Sequence, residues 1–86
     1  MHVEIYTRPG CSFCDRAKDL MNTKGIVYKE HKLNIDFTRS FISEKFSTAK
    51  TYPVIVVDGF YIGGFNEFQM IVEQQSRDTK QYLREA

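Results

Sequence analysis

The chain has 86 residues, 42% hydrophobic and 14% aromatic, with a formal net charge of +1. That composition excludes a disordered polar chain and leaves room for one domain, spanning 1–86, with a modest core. The balanced charge argues against nucleic-acid or membrane partners, no run reaches the ~20 apolar residues of a membrane span, and the opening MHVEIYT is no secretory signal, so a soluble, cytoplasmic protein is expected.

The first segment, VEIYT at 3–7, alternates Val3 and Ile5 with Glu4 and Tyr6 and reads as a strand. Pro9-Gly10 breaks it, and a helical pattern starts at Cys11, with Phe13, Ala17, Leu20 and Met21 sharing an apolar face. Gly25 is the expected left-handed cap at its end. IVYKEHKL (26–33) is a second strand whose polar second half suggests a sheet edge. Asn34 or Asp36 is placed to cap a helix with Phe37, Phe41, Ile42 and Phe46 on its apolar side. PVIVVDGFYIGG (53–64) reads as a hairpin, with strands at 54–57 and 60–62 around an Asp58-Gly59 turn. Gly63-Gly64 then allows a bend, Asn66 is the expected cap of a last helix, and Phe68, Ile71 and Val72 point inward. The polar tail 76–86 is assigned to no element beyond a helical turn or two. The order is βαβαββα. A helix between the first two strands makes them parallel, the hairpin is antiparallel, and the sheet is therefore mixed.

The only two cysteines, Cys11 and Cys14, stand three apart where the first strand gives way to the first helix. A disulfide staple over so short a loop removes little unfolded-state entropy. A zinc site needs about four ligands, and His2 and His31 are the only other obvious donors, without paired spacing. Redox chemistry is the leading reading. A helix start offers free N–H groups and the positive end of the helix dipole, both of which favour an anion. A free thiol with a pKa of ~8.5 is only about 3% ionised at pH 7, so such help matters. Arg8 is the nearby cation in sequence. Cys14, in the same turn, is expected to be less exposed, which makes Cys11 the attacking thiol and Cys14 the resolving one.

With those residues in view, the chain resembles glutaredoxins over about residues 3–75. EIYTRPGCSFCDRAKDLMNTKGI is similar to the family's opening strand, active-site turn and first helix, and TYPVIVVDGFYIGGFNE to its T-V-P segment, hairpin and G-G-x-D region. The resemblance implies a thioredoxin-like α/β fold with a four-stranded sheet in the order 2-1-3-4. It implies that Pro53 follows a cis bond and that Tyr52 presents its backbone to a thiol substrate. It also implies a glutathione site formed by Arg8, Phe13, Thr51, Tyr52, Pro53, Gly64, Phe65, Asn66 and Glu67, with Lys50 assisting Arg8. Asn66 stands where an acidic residue is usual, and Ser12 and Phe13 replace the family's common proline and tyrosine.

The activity so implied is glutathione-dependent reduction of protein disulfides and of protein–glutathione mixed disulfides by a monomer. Ribonucleotide reductase is among the protein partners implied. Two alternatives stay open. One is a [2Fe–2S] carrier or sensor, with Cys11 and glutathione as ligands between two protomers. The other is a redoxin fed by thioredoxin reductase.

Overall fold

In the computed structural model, which describes residues 1–74, four strands form one sheet in the order β2-β1-β3-β4. The strands are β1 (Val3–Thr7), β2 (Tyr28–Lys32), β3 (Val54–Val57) and β4 (Phe60–Gly63). β1 and β2 are parallel, in register from Val3–Tyr28 to Thr7–Lys32, whereas β3 runs antiparallel to both β1 and β4. The mixed 2-1-3-4 sheet is the expected thioredoxin-like arrangement. The tail 76–86 lies outside the described residues.

The sheet separates two apolar layers. On one face Val3, Ile5 and Ile55 pack with Ala17 and Met21 of helix α1 (Ser12–Lys24) and with Phe68 and Val72 of helix α3 (65–74). On the other, Tyr6, Val54 and Val56 pack with Ile42 of helix α2 (Arg39–Lys45) and with Leu33, Phe37 and Phe46. This second layer explains why Tyr6 is buried, although a strand with one wet face would have exposed it. The aromatic rings meet there at a spacing that favours edge and tilted contacts, with Tyr6 5.2 Å from Phe37 and 5.5 Å from Phe46.

Helix α1 begins and ends as expected, with Cys11 at its N-cap and Gly25 left-handed at its C-cap (φ 69°). Its buried face, however, is Cys14, Ala17 and Met21, while Phe13 is 47% exposed and belongs to the surface. β2 is shorter than the expected 26–33: Val27 is exposed, and Leu33 makes only an isolated bridge to Phe37.

The cap of α2 is Thr38, whose hydroxyl accepts from the Phe41 amide at 3.2 Å, and neither Asn34 nor Asp36 fills that role. Asp36 instead accepts the Lys32 amide at 2.8 Å, which closes the turn after β2, and Asn34 takes a left-handed φ of 65° in that turn. The hairpin turn falls on Asp58 and Gly59, both at positive φ, and β4 runs one residue further than expected, to Gly63. α3 starts after Gly64, whose carbonyl accepts the Phe68 amide at 3.1 Å. Asn66 is therefore inside the first turn and is not the cap. No helix among the described residues is long and apolar enough to cross a membrane.

Candidate active site

The carboxyl end of β1 delivers the chain through Arg8-Pro9-Gly10 to the start of α1, and Gly10 makes the turn at φ 70°. Cys11 and Cys14 are joined there as a disulfide, with their Cα atoms 5.3 Å apart. The Cys14 amide donates to the Cys11 sulfur at 3.1 Å. This disulfide sulfur occupies the place of the thiolate in the reduced protein, so the helix start already aims a donor at it. Both cysteines are buried, Cys11 at 6% and Cys14 at 1% exposure. His31 is not grouped with the sulfurs: its Nε2 lies 3.0 Å from Glu4 and its ring stacks on Tyr6. The hydrogen bond from His31 is the main reason that the Glu4 carboxyl is held below its usual range.

A groove of about 370 Å³ reaches Phe13, the residue before Cys14, although neither cysteine lines it. Three sequence-distant segments meet in it: Phe13 from α1, Thr51 to Pro53 from the loop before β3, and Gly64 to Glu67 from the start of α3. The Tyr52–Pro53 bond is cis, as expected. A Cβ on Gly64 would lie 3.3 Å from the Pro53 carbonyl oxygen, so a residue without a side chain lets α3 approach this loop. Gly63, at φ 122°, has the Glu67 side chain folded against it: a Cβ there would lie 2.8 Å from Glu67 Cγ. Asn66 and Glu67 thus share one end of the groove. Phe13 forms its apolar wall, with its ring 6.0 Å from Phe65 and 5.4 Å from the Arg16 guanidinium carbon.

Arg8 is the one expected residue that does not line this groove. It is exposed, donates to the Pro9 carbonyl at 3.4 Å, and lines an adjoining cleft with Arg39 and Lys50, which also contains Phe13, Thr51 and Tyr52. The two depressions share four lining residues, Phe13, Lys50, Thr51 and Tyr52. Thr48, Tyr61 and Arg39 also line this surface and carry no local motif that marks them in the sequence. Burial, and secondarily the charge of Glu67, raises the Tyr61 hydroxyl above its ordinary pKa.

The Glutaredoxin family model matches residues 3–62. This chain belongs to the glutaredoxin family. It is 35% identical over 66 residues to glutaredoxin 3 of Escherichia coli (strain K12), a match that covers 77% of this chain and 80% of that one. It is also 34% identical over 67 residues to the hybrid peroxiredoxin hyPrx5 of Haemophilus influenzae, covering 78% of this chain but only 27% of that longer protein. Among solved structures, glutaredoxin 1 from Francisella tularensis superposes with a TM-score of 0.74 at 28% identity, over 88% of this chain and 96% of its own. As a glutaredoxin the protein is a thiol–disulfide oxidoreductase, and Cys11–Cys14 is its redox-active pair.

Proposed function

We propose that this glutaredoxin uses glutathione to reduce protein disulfides and protein–glutathione mixed disulfides in the cytoplasm, acting as a monomer. One observation carries the reading: Phe13, which lies between the two cysteines in sequence, lines a single groove with the Thr51–Pro53 segment and the start of α3. Backbone N–H groups at the start of α3 suit a carboxylate, and Glu67 at the same end suits an ammonium. The cations Arg8, Arg39 and Lys50 lie around the adjoining cleft and suit a second carboxylate. A short zwitterionic peptide with two carboxylates, one amine and a central thiol matches that distribution.

In the reaction so proposed, the Cys11 thiolate attacks one sulfur of the substrate disulfide. A Cys11–substrate bond forms, and the other sulfur leaves with the electron pair. On a protein–glutathione mixed disulfide, attack on the glutathione sulfur releases the protein thiol and leaves glutathione on Cys11. A second glutathione thiolate then attacks that glutathione sulfur, forms glutathione disulfide and releases the Cys11 thiolate. On a protein disulfide, Cys14 attacks the Cys11 sulfur, releases the protein thiol and forms Cys11–Cys14, which two glutathione molecules then reduce. Ribonucleotide reductase is one protein disulfide that this route would serve.

The assay is turnover of a glutathionylated peptide and of a protein disulfide with glutathione as the sole reductant. Wild type should turn over both substrates, Cys14→Ser only the first, and Cys11→Ser neither. Turnover that requires thioredoxin reductase in place of glutathione would overturn the reading. Among the described residues no three His, Cys, Asp or Glu side chains are grouped to hold a metal ion. A [2Fe–2S] cluster on Cys11 would thus need ligands from glutathione and a second protomer, and no feature of the site favours that role over disulfide exchange.

A further inference from the structure

A second cavity, of about 280 Å³, opens on the disulfide, and the groove residues 51–53 and 64–67 take no part in it. Both cysteines line it, together with Thr7, Lys18 and Glu30. Glu30, on the edge strand β2, accepts from Thr7 Oγ1 at 2.7 Å and from Lys18 Nζ at 3.3 Å. Lys18 lies one helical turn beyond Cys14 on α1, and its ammonium is also 3.9 Å from Asp15. The Lys18 and Glu30 side chains are 27% and 21% exposed, so the charges sit where water screens them only in part. The other charged groups facing the cavity are Asp15, beside Cys14 on α1 and three-quarters exposed, Arg8, from the loop after β1, and Lys32, from β2.

The two-cysteine reaction poses a problem at this place. Cys14 must lose a proton before it can attack, yet it is buried, and burial disfavours a thiolate. Helical side chains lean toward the helix N-terminus, so residues four apart meet. Lys18 and Cys14 accordingly line one cavity, with the Lys18 ammonium held 3.3 Å from Glu30. Burial opposes ionisation of Glu30, but the hydrogen bonds from Thr7 and Lys18, with the charges of Lys18 and Lys32, outweigh it and hold the carboxyl below its usual range. Glu30 is therefore a fixed anion at neutral pH. It anchors Lys18 and is a poor proton store.

We infer that Lys18 is the cation that supports the Cys14 thiolate during the resolving step, with Glu30 and Thr7 as the positioning residues that hold it, and that this cavity is the proton's route to water. In that step Cys14 gives its proton to water in the cavity. Its sulfur then attacks the Cys11 sulfur, the Cys11–Cys14 bond forms, and the substrate sulfur leaves with the electrons of the broken bond. The mixed disulfide is itself the oxidant, so no further electron acceptor enters.

The inference rests on the two-cysteine reaction and not on the choice of glutathione, so its test omits glutathione altogether. In Cys11→Ser protein, Cys14 is the sole thiol, and the pH midpoint of its thiolate absorbance can be titrated directly. Adding Lys18→Met, or Lys18→Gln should the first impair folding, raises that midpoint by about one pH unit. Adding Glu30→Gln lowers it, because the ammonium keeps its place and loses its counter-charge. Lys18→Arg stays near the parent value. General loosening of the site would move the Lys18 and Glu30 variants in the same direction, so the opposite signs are diagnostic. The inference fails if the neutral Lys18 variant leaves the midpoint in place, or if Glu30→Gln does not move it downward.

Discussion

The Cys14 amide donates to the Cys11 sulfur at 3.1 Å, so a thiolate on Cys11 in the reduced protein would find one backbone donor already in place. One turn of helix thereby does two jobs. Its Cys14 amide faces the Cys11 sulfur, and the same residue stores the second sulfur under cover. The prediction is selective alkylation. At pH 6 the reduced protein should be modified by iodoacetamide at Cys11 well ahead of Cys14, read by peptide mass spectrometry. Faster labelling of Cys14 would reverse the two roles.

Glu67 and Asn66 offer the groove one carboxylate and one amide where the family usually has an acidic residue at the position of Asn66. Asn66→Asp is expected to tighten glutathione binding by roughly 0.5–2 kcal/mol, the value of a charge-assisted contact to the ligand's ammonium. Glu67→Gln is expected to weaken it. Calorimetry on the Cys14→Ser protein measures both. Unchanged affinity in Asn66→Asp would mean that Glu67 already satisfies the ammonium.

Much of this was legible in the residues, and the exceptions have physical causes. The hairpin was readable because Asp58-Gly59 supplies two positive φ angles between apolar runs, and α1 because a glycine ends it. The cap of α2 was not. Asn34, Asp36 and Thr38 are all competent caps within five residues, and the choice falls on Thr38 because the Asp36 carboxylate is engaged by the Lys32 amide. Asn66 failed as a cap for a related reason: Gly64, pressed against the Pro53 carbonyl, already starts the helix. The alternation of Val3 and Ile5 with Glu4 and Tyr6 shows which residues share a face and not that a second layer covers Tyr6. Arg39 and Thr48 reach the site only through the packing of α2 and the loop after it, a juxtaposition that no local spacing encodes.

Gly63 has a positive φ of 122° and leaves no room for a Cβ beside Glu67. Gly63→Ala is therefore expected to destabilise the fold by about 1–3 kcal/mol through backbone strain and to push Glu67 out of the groove. Urea denaturation measures the first effect and glutathione titration the second. An alanine variant as stable as wild type would show that β4 shifts freely at this point.

Acid should weaken the anchor beneath the disulfide. The folded-state pKa of Glu30 is lowered from its ordinary 4.5 because the Thr7 and Lys18 contacts outweigh burial, so its contribution is fully present above 4.5. That contribution is lost as pH falls through the lowered folded-state value. The stability gap between wild type and Glu30→Gln, measured by urea denaturation, should be largest at neutral pH and shrink toward pH 3. A gap independent of pH would assign the effect to packing and not to charge.

The central claim is that glutathione lies along the groove while bonded to Cys11. The direct measurement is an amide chemical-shift map of Cys14→Ser protein carrying glutathione as a stable mixed disulfide, compared with the reduced form. The account predicts an adduct on Cys11 and its largest shifts, away from the active-site turn, at Tyr52, Gly64, Phe65, Asn66 and Glu67. No adduct, or shifts gathered instead around Glu30, Lys32 and Leu33 in the second cavity, would contradict it.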